Sequence, residues 1–291
     1  MLLRLFCLRN KVEIRFVSHF AIVFQKYDTK ATWTTPHFPM LDKSPQTIRR
    51  LFDQIAPRYD LINHSLSLGL DFSWRRRAVE LIWKDLQRQE DFNKGELPCP
   101  ILDVCCGTGD FSIAWHRKLT AVCRDRVAVV GIDFSPAMLE IGRKKIRKIH
   151  AENNIELRQG DAMELPFEDA TFAAASVAFG LRNVADPDRG IAEMIRVVRP
   201  GGVVAILDFD LPRLPLLGPM YRFYLTKVLP GLGKWISRNR EGAYHYFSKS
   251  VLQFEKGESL AEKLRQAGLR DVSFQRMTCG VVSLYRGVKI Q

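Results

Sequence analysis

The chain has 291 residues, of which 46% are hydrophobic and 26% charged, proportions typical of an ordinary globular protein. No uninterrupted apolar run reaches the length of about 20 residues that a membrane-spanning helix requires. The formal net charge of +12 is compatible with an acidic substrate, a nucleic acid or an anionic membrane surface. The six cysteines contain no C-x-x-C pair, which excludes a zinc motif and a disulfide framework and favours a reducing, cytoplasmic setting.

Globular patterning begins only near Pro45, so we expect residues 1–39 to form an N-terminal extension and residues 40–291 to form one globular domain. The start of the extension, Met1–Phe24, is apolar and basic. Two explanations stay open. The extension is an unstructured or non-native stretch with Met40 as the true start, or it is a targeting peptide, which would imply a mitochondrial location.

Two helices are predicted next, over Gln46–Tyr59 and Ser73–Leu86, because apolar residues recur there at helical spacing. Residues 60–69 separate them. We expect residues 45–86 to form a helical lid over a binding site. The basic cluster Arg75–Arg77 lies beside the expected mouth of that site, which favours a peripheral contact with the inner face of a membrane.

A short apolar strand, Ile101–Val104, runs into a glycine turn that opens a helix over Phe111–Lys118. Gly107 and Gly109 let the backbone turn tightly and approach a ligand closely. The turn therefore predicts a cofactor site at the start of the helix.

Two acids favour a cationic cofactor in this turn. Asp103 precedes the glycines and Asp110 follows them. A dinucleotide-binding turn would carry a third glycine where Ser112 stands. S-adenosylmethionine has a sulfonium and an ammonium group and no phosphate, so it suits this site better than NAD.

The next two strands also end in acids. Val127–Asp133 places a carboxylate where ribose hydroxyls bind, and the strand through Ile155–Leu157 leads to Asp161, which is suited to an adenine amino group. Ser135 and Pro136 predict the start of a helix, and its basic run Arg143–Lys148 is expected to face solvent.

The remaining pattern predicts an α/β fold with a mostly parallel sheet, because strands and helices alternate as far as Asp210. A segment rich in aromatic residues, 211–250, looks like an inserted cap. The further predicted elements are a strand over Ala173–Phe179, a helix over Pro187–Val198, a turn over Arg199–Gly202, a strand over Val203–Phe209, a helix over Ser259–Ala267, and closing strands over Val272–Phe274 and Gly280–Tyr285.

Several motifs make the chain resemble the UbiE/MenG family of quinone-ring C-methyltransferases. The resemblance covers roughly Thr47 to the C-terminus. It rests on Phe52–Asp60 (FDQIAPRYD), Asp103–Asp110 (DVCCGTGD), Phe179–Val184 (FGLRNV), Arg199–Gly202 (RPGG), Tyr244–Tyr246 (YHY) with Ser250-Val251, Gly280–Val282 and Arg286-Gly287.

This resemblance implies a class I methyltransferase, Rossmann-like fold with a seven-stranded sheet. It also implies methyl transfer from S-adenosylmethionine to a ring carbon of a polyprenylated quinol. The family's cofactor contacts fall on Thr108, Asp133, Asp161 and Ala162. A further contact, commonly a serine, falls on Ala178, where the hydroxyl is missing.

The acceptor is expected to be 2-demethylmenaquinol. Cys105-Cys106 in the turn, together with Asp133-Phe134-Ser135, is more similar to the menaquinone branch of the family than to the ubiquinone branch. Methylation of the benzoquinol precursor of ubiquinone stays as the alternative.

Three residues are candidates for catalysis. Arg182 would stabilise a phenolate of the quinol, and Asn183 would position a water or the ring oxygen. His245, between two tyrosines, is a candidate proton acceptor because histidine titrates near neutral pH. The alternative for Arg182 and Asn183 is a capping or ion-pairing role, and the alternative for His245 is a packed side chain.

Other functions compete with this interpretation. The basic charge suggests an RNA methyltransferase, but no appended RNA-binding motif is found. A non-catalytic scaffold for quinone biosynthesis is another alternative. We expect no metal and no nucleic acid, and we leave open a homo-oligomer.

Overall fold

The computed structural model describes residues 43–89, 100–122, 128–215, 217–228 and 241–290, with the backbone alone at 241–245. The predicted extension 1–39 lies outside the described residues, as do most of the segment between the second helix and the first strand and part of the predicted cap.

A seven-stranded sheet with the order β3-β2-β1-β4-β5-β7-β6 forms the centre of the described chain. β1 to β5 are parallel, and β7 is antiparallel to both of its neighbours. This confirms the predicted mostly parallel sheet of seven strands. The strands are β1 (Ile101–Val104), β2 (Val129–Asp133), β3 (Ile155–Gln159), β4 (Phe172–Ala178), β5 (Val198–Phe209), β6 (Leu269–Met277) and β7 (Val282–Lys289).

Helices cover both faces of the sheet. The α-helices are α1 (Pro45–Leu66), α2 (Leu70–Gln87), α3 (Asp110–Val122), α4 (Pro136–Lys148), α5 (Pro187–Val197), α6 (Leu217–Phe223), α7 (Glu241–Gln253) and α8 (Glu258–Gln266). Buried side chains of α2, α3 and α4 form one apolar core against the sheet, and those of α5 and α8 form the other. The central strands β1 and β4 are therefore buried and largely apolar, as expected for strands covered on both sides.

Local capping fixes where α4 begins. The hydroxyl of Ser135 accepts a hydrogen bond from the Met138 N–H, and Pro136 follows at the first helical position. This start agrees with the prediction.

The first helix is longer than predicted. α1 continues past Tyr59 to Leu66, with Pro57 inside it, whereas the sequence pattern predicted a connecting segment over 60–69. Ile62 and Leu66 pack against the core below α1, and this packing outweighs the weak local signals for an earlier end.

The predicted turn over Arg199–Gly202 lies inside β5. Pairing with β4 passes from Phe172 opposite Val198 to Ala174 opposite Val203, so the intervening residues bulge out of the ladder. Gly201 adopts a φ of +74° there, which glycine tolerates best. None of the described helices combines the length and hydropathy needed to traverse a bilayer.

Candidate active site

The glycine turn lies between β1 and α3, at the carboxyl edge of the sheet. Cys105, Gly107 and Gly109 all have positive φ, of 53°, 55° and 78°. A non-glycine residue in this conformation is strained, and such strain is commonly found at functional loops. The Gly107 N–H donates a 2.8 Å hydrogen bond to Oδ2 of Asp133, so the turn is held against the end of β2.

A cavity of about 800 Å³ opens at this edge, where the ends of β1, β2 and β4 meet. We call it the cofactor cavity. Its position is where open α/β sheets bind ligands. Five of the predicted cofactor residues line it: Gly107, Asp133, Asp161, Ala162 and Ala178.

Hydrogen bonds orient the two carboxylates of the cavity. Asp133 accepts from the Ser135 N–H at 2.9 Å as well as from Gly107, and burial raises its pKa. Asp161 accepts from the Met163 N–H at 2.8 Å. Both side chains are therefore pre-positioned for a ligand that carries hydroxyls, amino groups or positive charge.

The other three predicted cofactor residues do not line this cavity. Asp103 is 1% exposed and accepts a 2.6 Å hydrogen bond from the Ser112 hydroxyl; burial raises its pKa to about 7. The Thr108 hydroxyl donates to Asp60, and Gly109 faces Leu157 and Gly142. These three residues contribute to the structure of the turn through contacts outside the cofactor cavity.

An ionic cluster joins the first helix to the turn. Asp60 on α1 accepts from Thr108 at 2.6 Å and from Lys145 at 3.0 Å, and Lys145 also pairs with Asp110. The sequence pattern placed Lys145 on a solvent-facing surface of α4, and that expectation is wrong: its side chain is 23% exposed and inside this cluster. Because the contacts join three separate helices, local sequence carries no signal for them.

A second cavity, of about 650 Å³, adjoins the first. Its walls are largely aromatic, so we call it the aromatic cavity. Tyr59 and Phe179 line both cavities and form their common boundary. The other aromatic side chains in its wall are Trp74, Phe209, Tyr221, Tyr224 and Phe247.

A third cavity, of about 580 Å³, lies between α1 and α7. We call it the apolar cleft. Leu51, Ile55, Ile62 and Leu66 of α1 line one side. It shares Arg182 and Phe247 with the aromatic cavity.

Arg182 lies at the junction of the aromatic cavity and the apolar cleft. Its guanidinium donates to Oδ1 of Asp208 at 2.8 Å and to the Phe179 carbonyl, and the residue is 5% exposed. Its Nε has no hydrogen-bond partner among the described residues. Arg182 therefore presents a buried guanidinium, paired with an acid, at this junction.

The neighbouring candidate, Asn183, completes the short 3₁₀ helix Leu181–Asn183 after β4. It lines the cofactor cavity and the apolar cleft. Its Oδ1 is buried and lacks a partner within the described part of the chain. His245 lies on α7, but its side chain is outside the described residues. The structure thus places Asn183 in the wall of the cofactor cavity and Arg182 in the walls of the aromatic cavity and the apolar cleft.

Sequence reasoning missed Arg75 as a site residue. The sequence predicts a basic cluster of Arg75, Arg76 and Arg77 beside the mouth of the site, yet Arg75 is 8% exposed and lines the aromatic cavity. In the structure Arg75 shares a helical face with Asp71 and Ala78, and both of these residues are buried.

The residues of the cofactor cavity fit S-adenosylmethionine. Asp133 and Asp161 supply negative charge and acceptors, and the Gly107 N–H is already engaged by Asp133, which leaves it unavailable to a pyrophosphate. A NAD-type site would need such N–H groups free.

Solved structures share this fold. A SAM-dependent methyltransferase of Thermotoga maritima, described as a possible histamine N-methyltransferase, matches with a TM-score of 0.55 at 21% identity, over 83% of this chain and 99% of that chain. A putative methyltransferase of Haloferax volcanii, solved with its Trm112 activator, matches with a TM-score of 0.54 at 16% identity, over 82% and 98%. These two matches show that the chain has the fold of class I methyltransferases.

Sequence comparison gives the family. The model of the ubiE/COQ5 methyltransferase family matches residues 40–289. The UbiE ubiquinone/menaquinone biosynthesis C-methyltransferase of Geobacter sp. (strain M21) is 39% identical over 86% of this chain and 99% of its own length. The demethylmenaquinone methyltransferase of Deinococcus radiodurans is 39% identical, over 86% and 97%. The chain belongs to the ubiE/COQ5 methyltransferase family, as its motifs predicted.

Proposed function

We propose that the protein methylates a ring carbon of a polyprenylated quinol, with 2-demethylmenaquinol as its acceptor and menaquinol as its product. The observation that carries this proposal is the aromatic cavity with the buried Arg182 in its wall, directly beside the cofactor cavity. An aromatic, largely apolar cavity suits a flat ring, and a buried cation suits a ring oxygen that loses its proton.

The chain's residues have two tasks in this chemistry, namely alignment and charge stabilisation. S-adenosylmethionine supplies an electrophilic methyl carbon when it is bound. Arg182 stabilises the negative charge on the ring hydroxyl oxygen as that hydroxyl loses its proton. Asn183, between the cofactor cavity and the apolar cleft, positions the same oxygen or a water beside it.

The reaction releases one proton overall. The ring carbon bonds to the methyl carbon while the carbon–sulfur bond breaks, and sulfur keeps the electron pair. The ring carbon then loses its own hydrogen as a proton, which restores aromaticity, and the oxygen regains one. No oxidant, reductant or metal enters this balance.

The apolar cleft is suited to the isoprenoid tail. Its α1 side is aliphatic, and it meets the aromatic cavity at Arg182 and Phe247. A ring in the aromatic cavity would therefore have an apolar path for its tail. Apolar burial contributes about 25 cal/mol for each Å² removed from water, so the tail would provide much of the binding free energy.

The choice of menaquinol over the ubiquinone precursor is supported by relatives and by the turn. Relatives named demethylmenaquinone methyltransferase occur in Deinococcus radiodurans and Bacteroides fragilis, at 39% and 36% identity. The Cys105-Cys106 turn is more similar to the menaquinone branch of the family, and its Cys105 lines the cofactor cavity.

Purified protein can test this choice directly. A short-chain demethylmenaquinol and a short-chain benzoquinol precursor would be offered together with S-adenosylmethionine. We expect the naphthoquinol to have the higher kcat/KM. Preference for the benzoquinol would reassign the protein to ubiquinone biosynthesis, and deletion of the gene, with the accumulated quinone identified by mass spectrometry, checks the same point in the cell.

A membrane-facing surface is also part of the proposal. Leu61, Leu68 and Phe72 are 69%, 44% and 51% exposed at the corner between α1 and α2, and Arg76 and Arg77 are exposed beside them. Exposed apolar side chains next to arginines are typical of a peripheral contact with an anionic bilayer. Such a contact would bring the mouth of the site to a substrate with a long apolar tail.

Vesicle co-sedimentation tests this surface. We expect Leu61→Ser with Phe72→Ser to weaken binding to anionic vesicles, and Val122→Ser, at an exposed apolar position on α3, to leave it unchanged. Equal binding by the wild type, the double variant and Val122→Ser would refute the proposal that this surface contacts the membrane.

The alternative as an RNA methyltransferase gains no support at the turn. Burial raises the pKa of the Cys105 and Cys106 thiols well above the ordinary value, so they remain protonated and are poor nucleophiles. A scaffold without activity would be indicated if calorimetry detected no binding of S-adenosylmethionine.

A further inference from the structure

A second guanidinium faces the aromatic cavity from α2. Arg75 pairs with Asp71 one turn earlier on the same helix, and its guanidinium carbon lies 5.4 Å from the centre of the Phe179 ring. Arg75 and its partner Asp71 both line the cavity, with the guanidinium beside the Phe179 ring.

Asp71 is built to hold this arginine in place. Its Oδ1 accepts from the Ser67 hydroxyl at 2.7 Å, and its Oδ2 lies 2.8 Å from Nδ1 of His64. Burial opposes ionisation of Asp71, but the charge of Arg75 and the hydrogen bond from Ser67 bring its pKa below the ordinary value. The ion pair is therefore a fixed feature of the cavity wall near neutral pH.

The two arginines flank one pair of aromatic rings. The Arg182 guanidinium carbon lies 5.3 Å from the centre of the Phe209 ring, and the Phe179 and Phe209 rings are 4.7 Å apart. Arg75 is held by an acid on α2 and Arg182 by an acid on β5. The cavity thus presents two separately anchored guanidiniums.

A phenol already present at this cavity senses both charges. Burial raises the pKa of the Tyr59 hydroxyl, while Arg182 and Arg75 each act to lower it. A quinol ring in the same cavity would place its own hydroxyls in that field.

We propose that Arg75 is a second acceptor-binding residue that recognises the distal hydroxyl of a para-quinol, while Arg182 holds the oxygen beside the methylated carbon. Asp71 is then a positioning residue. The inference rests on the proposed function and deepens it, because it makes a 1,4-dihydroxy ring the recognised feature of the substrate.

Two acceptors separate recognition from a structural role. One is a short-chain 1,4-naphthoquinol and the other is the same ring without the distal hydroxyl. A charge-assisted hydrogen bond contributes about 1.5–3 kcal/mol, which corresponds to roughly 10- to 150-fold in kcat/KM. We expect Arg75→Met to lower kcat/KM for the diol by about that factor and to leave the mono-hydroxy acceptor nearly unchanged.

The informative quantity is the ratio of variant to wild-type kcat/KM, taken separately for each acceptor. The intrinsic reactivity of an acceptor cancels in its own ratio, so a difference between the two ratios measures recognition of the distal hydroxyl alone. Arg75→Lys should restore part of the preference, since it keeps the charge. Lys84→Met is the matched control at an exposed cation of α2, and it should change kcat/KM for neither acceptor. Binding of S-adenosylmethionine, followed by calorimetry, should persist in all three variants.

Two results would overturn the inference: an equal loss for both acceptors in Arg75→Met, which indicates a structural role, or no loss for either. Failure of the wild-type protein to methylate either acceptor would overturn the proposed function itself, and the inference with it. If Arg75→Met does not fold, Arg75→Lys decides the question. A reduced kcat/KM for the diol alone supports the inference, and an equal loss for both acceptors, or no loss for either, overturns it.

Discussion

The Thr108 hydroxyl donates a 2.6 Å hydrogen bond to Oδ1 of Asp60, so the first helix is fastened to the glycine turn of the cofactor site. Lys145 strengthens the junction by pairing with both Asp60 and Asp110. Because α1 also contributes Phe52 and Tyr59 to the wall of the cofactor cavity, this junction connects two parts of that wall, the helix α1 and the glycine turn.

Removing this junction should weaken cofactor binding. We expect Asp60→Ala to lower the affinity for S-adenosylmethionine about tenfold, which corresponds to about 1.4 kcal/mol, because it removes an acceptor of two hydrogen bonds and leaves Lys145 without that partner. Calorimetry measures the change. Thr108→Val should show a smaller loss, and Glu152→Ala, at an exposed acid, should show none. Unchanged affinity in Asp60→Ala would mean that the junction is independent of the cofactor.

Arg182 should act on turnover rather than on cofactor affinity. Loss of a preorganised charge that stabilises a developing oxyanion typically costs 10²- to 10³-fold in kcat, and we expect a fall of about that size in Arg182→Ala. Its affinity for S-adenosylmethionine should stay within about threefold of wild type. A threefold change in affinity is a much smaller free-energy change than the roughly 1.4 kcal/mol of a tenfold change. Arg270→Ala, at an exposed arginine on β6, is the control. The reverse pattern would remove Arg182 from the chemistry.

Two glycine substitutions test the packing around the sheet. A Cβ on Gly202 would lie 2.5 Å from the Ala173 carbonyl oxygen and 2.9 Å from that of Arg199, so Gly202→Ala should destabilise by about 1–3 kcal/mol. A Cβ on Gly190, in α5, would meet nothing closer than 3.5 Å. Gly190→Ala should therefore be neutral or stabilising by up to about 1 kcal/mol. Urea unfolding measures both, and similar effects at the two sites would contradict the described packing.

Asp103 should make stability depend on pH. Its pKa is raised by burial to about 7 in the folded protein, against about 3.9 in an unfolded chain. Between these values the folded state holds a proton that the unfolded chain has lost, so the free energy of unfolding falls as the pH rises and levels off above the folded pKa.

Asp103→Asn removes this titration and keeps an oxygen that accepts from Ser112. The variant should therefore gain stability relative to wild type between about pH 5 and about pH 8. Urea unfolding at both pH values checks the gain. A difference between the two proteins that does not change with pH would refute the raised pKa.

The cofactor edge was predictable because its signals are local. Each strand of a parallel sheet ends at the same edge, so Asp133 and Asp161 could be placed together from their positions after two apolar runs. Gly107 could be placed for the same reason. The mostly parallel sheet followed from the alternation of strands and helices.

The wall of the aromatic cavity was not predictable in the same way. Its position depends on how α1 and α2 fold over the sheet, and the hydrogen bonds that fix α1 join Asp60 to Thr108 and Lys145, 48 and 85 residues away. The exposed look of Arg75 in a run of three arginines concealed its place on the buried face of α2. Tertiary packing decided both cases.

Transfer of an isotope-labelled methyl group tests the central claim most directly. S-adenosylmethionine with a labelled methyl group would be incubated anaerobically with a short-chain 2-demethylmenaquinol, and the product would be examined by NMR and mass spectrometry. Asp133→Ala, verified as folded, serves as the control that should not transfer the label. We predict one labelled methyl group on the ring carbon and one equivalent of S-adenosylhomocysteine. A label on a ring oxygen, or bound cofactor without any transfer to the quinol, would contradict the account.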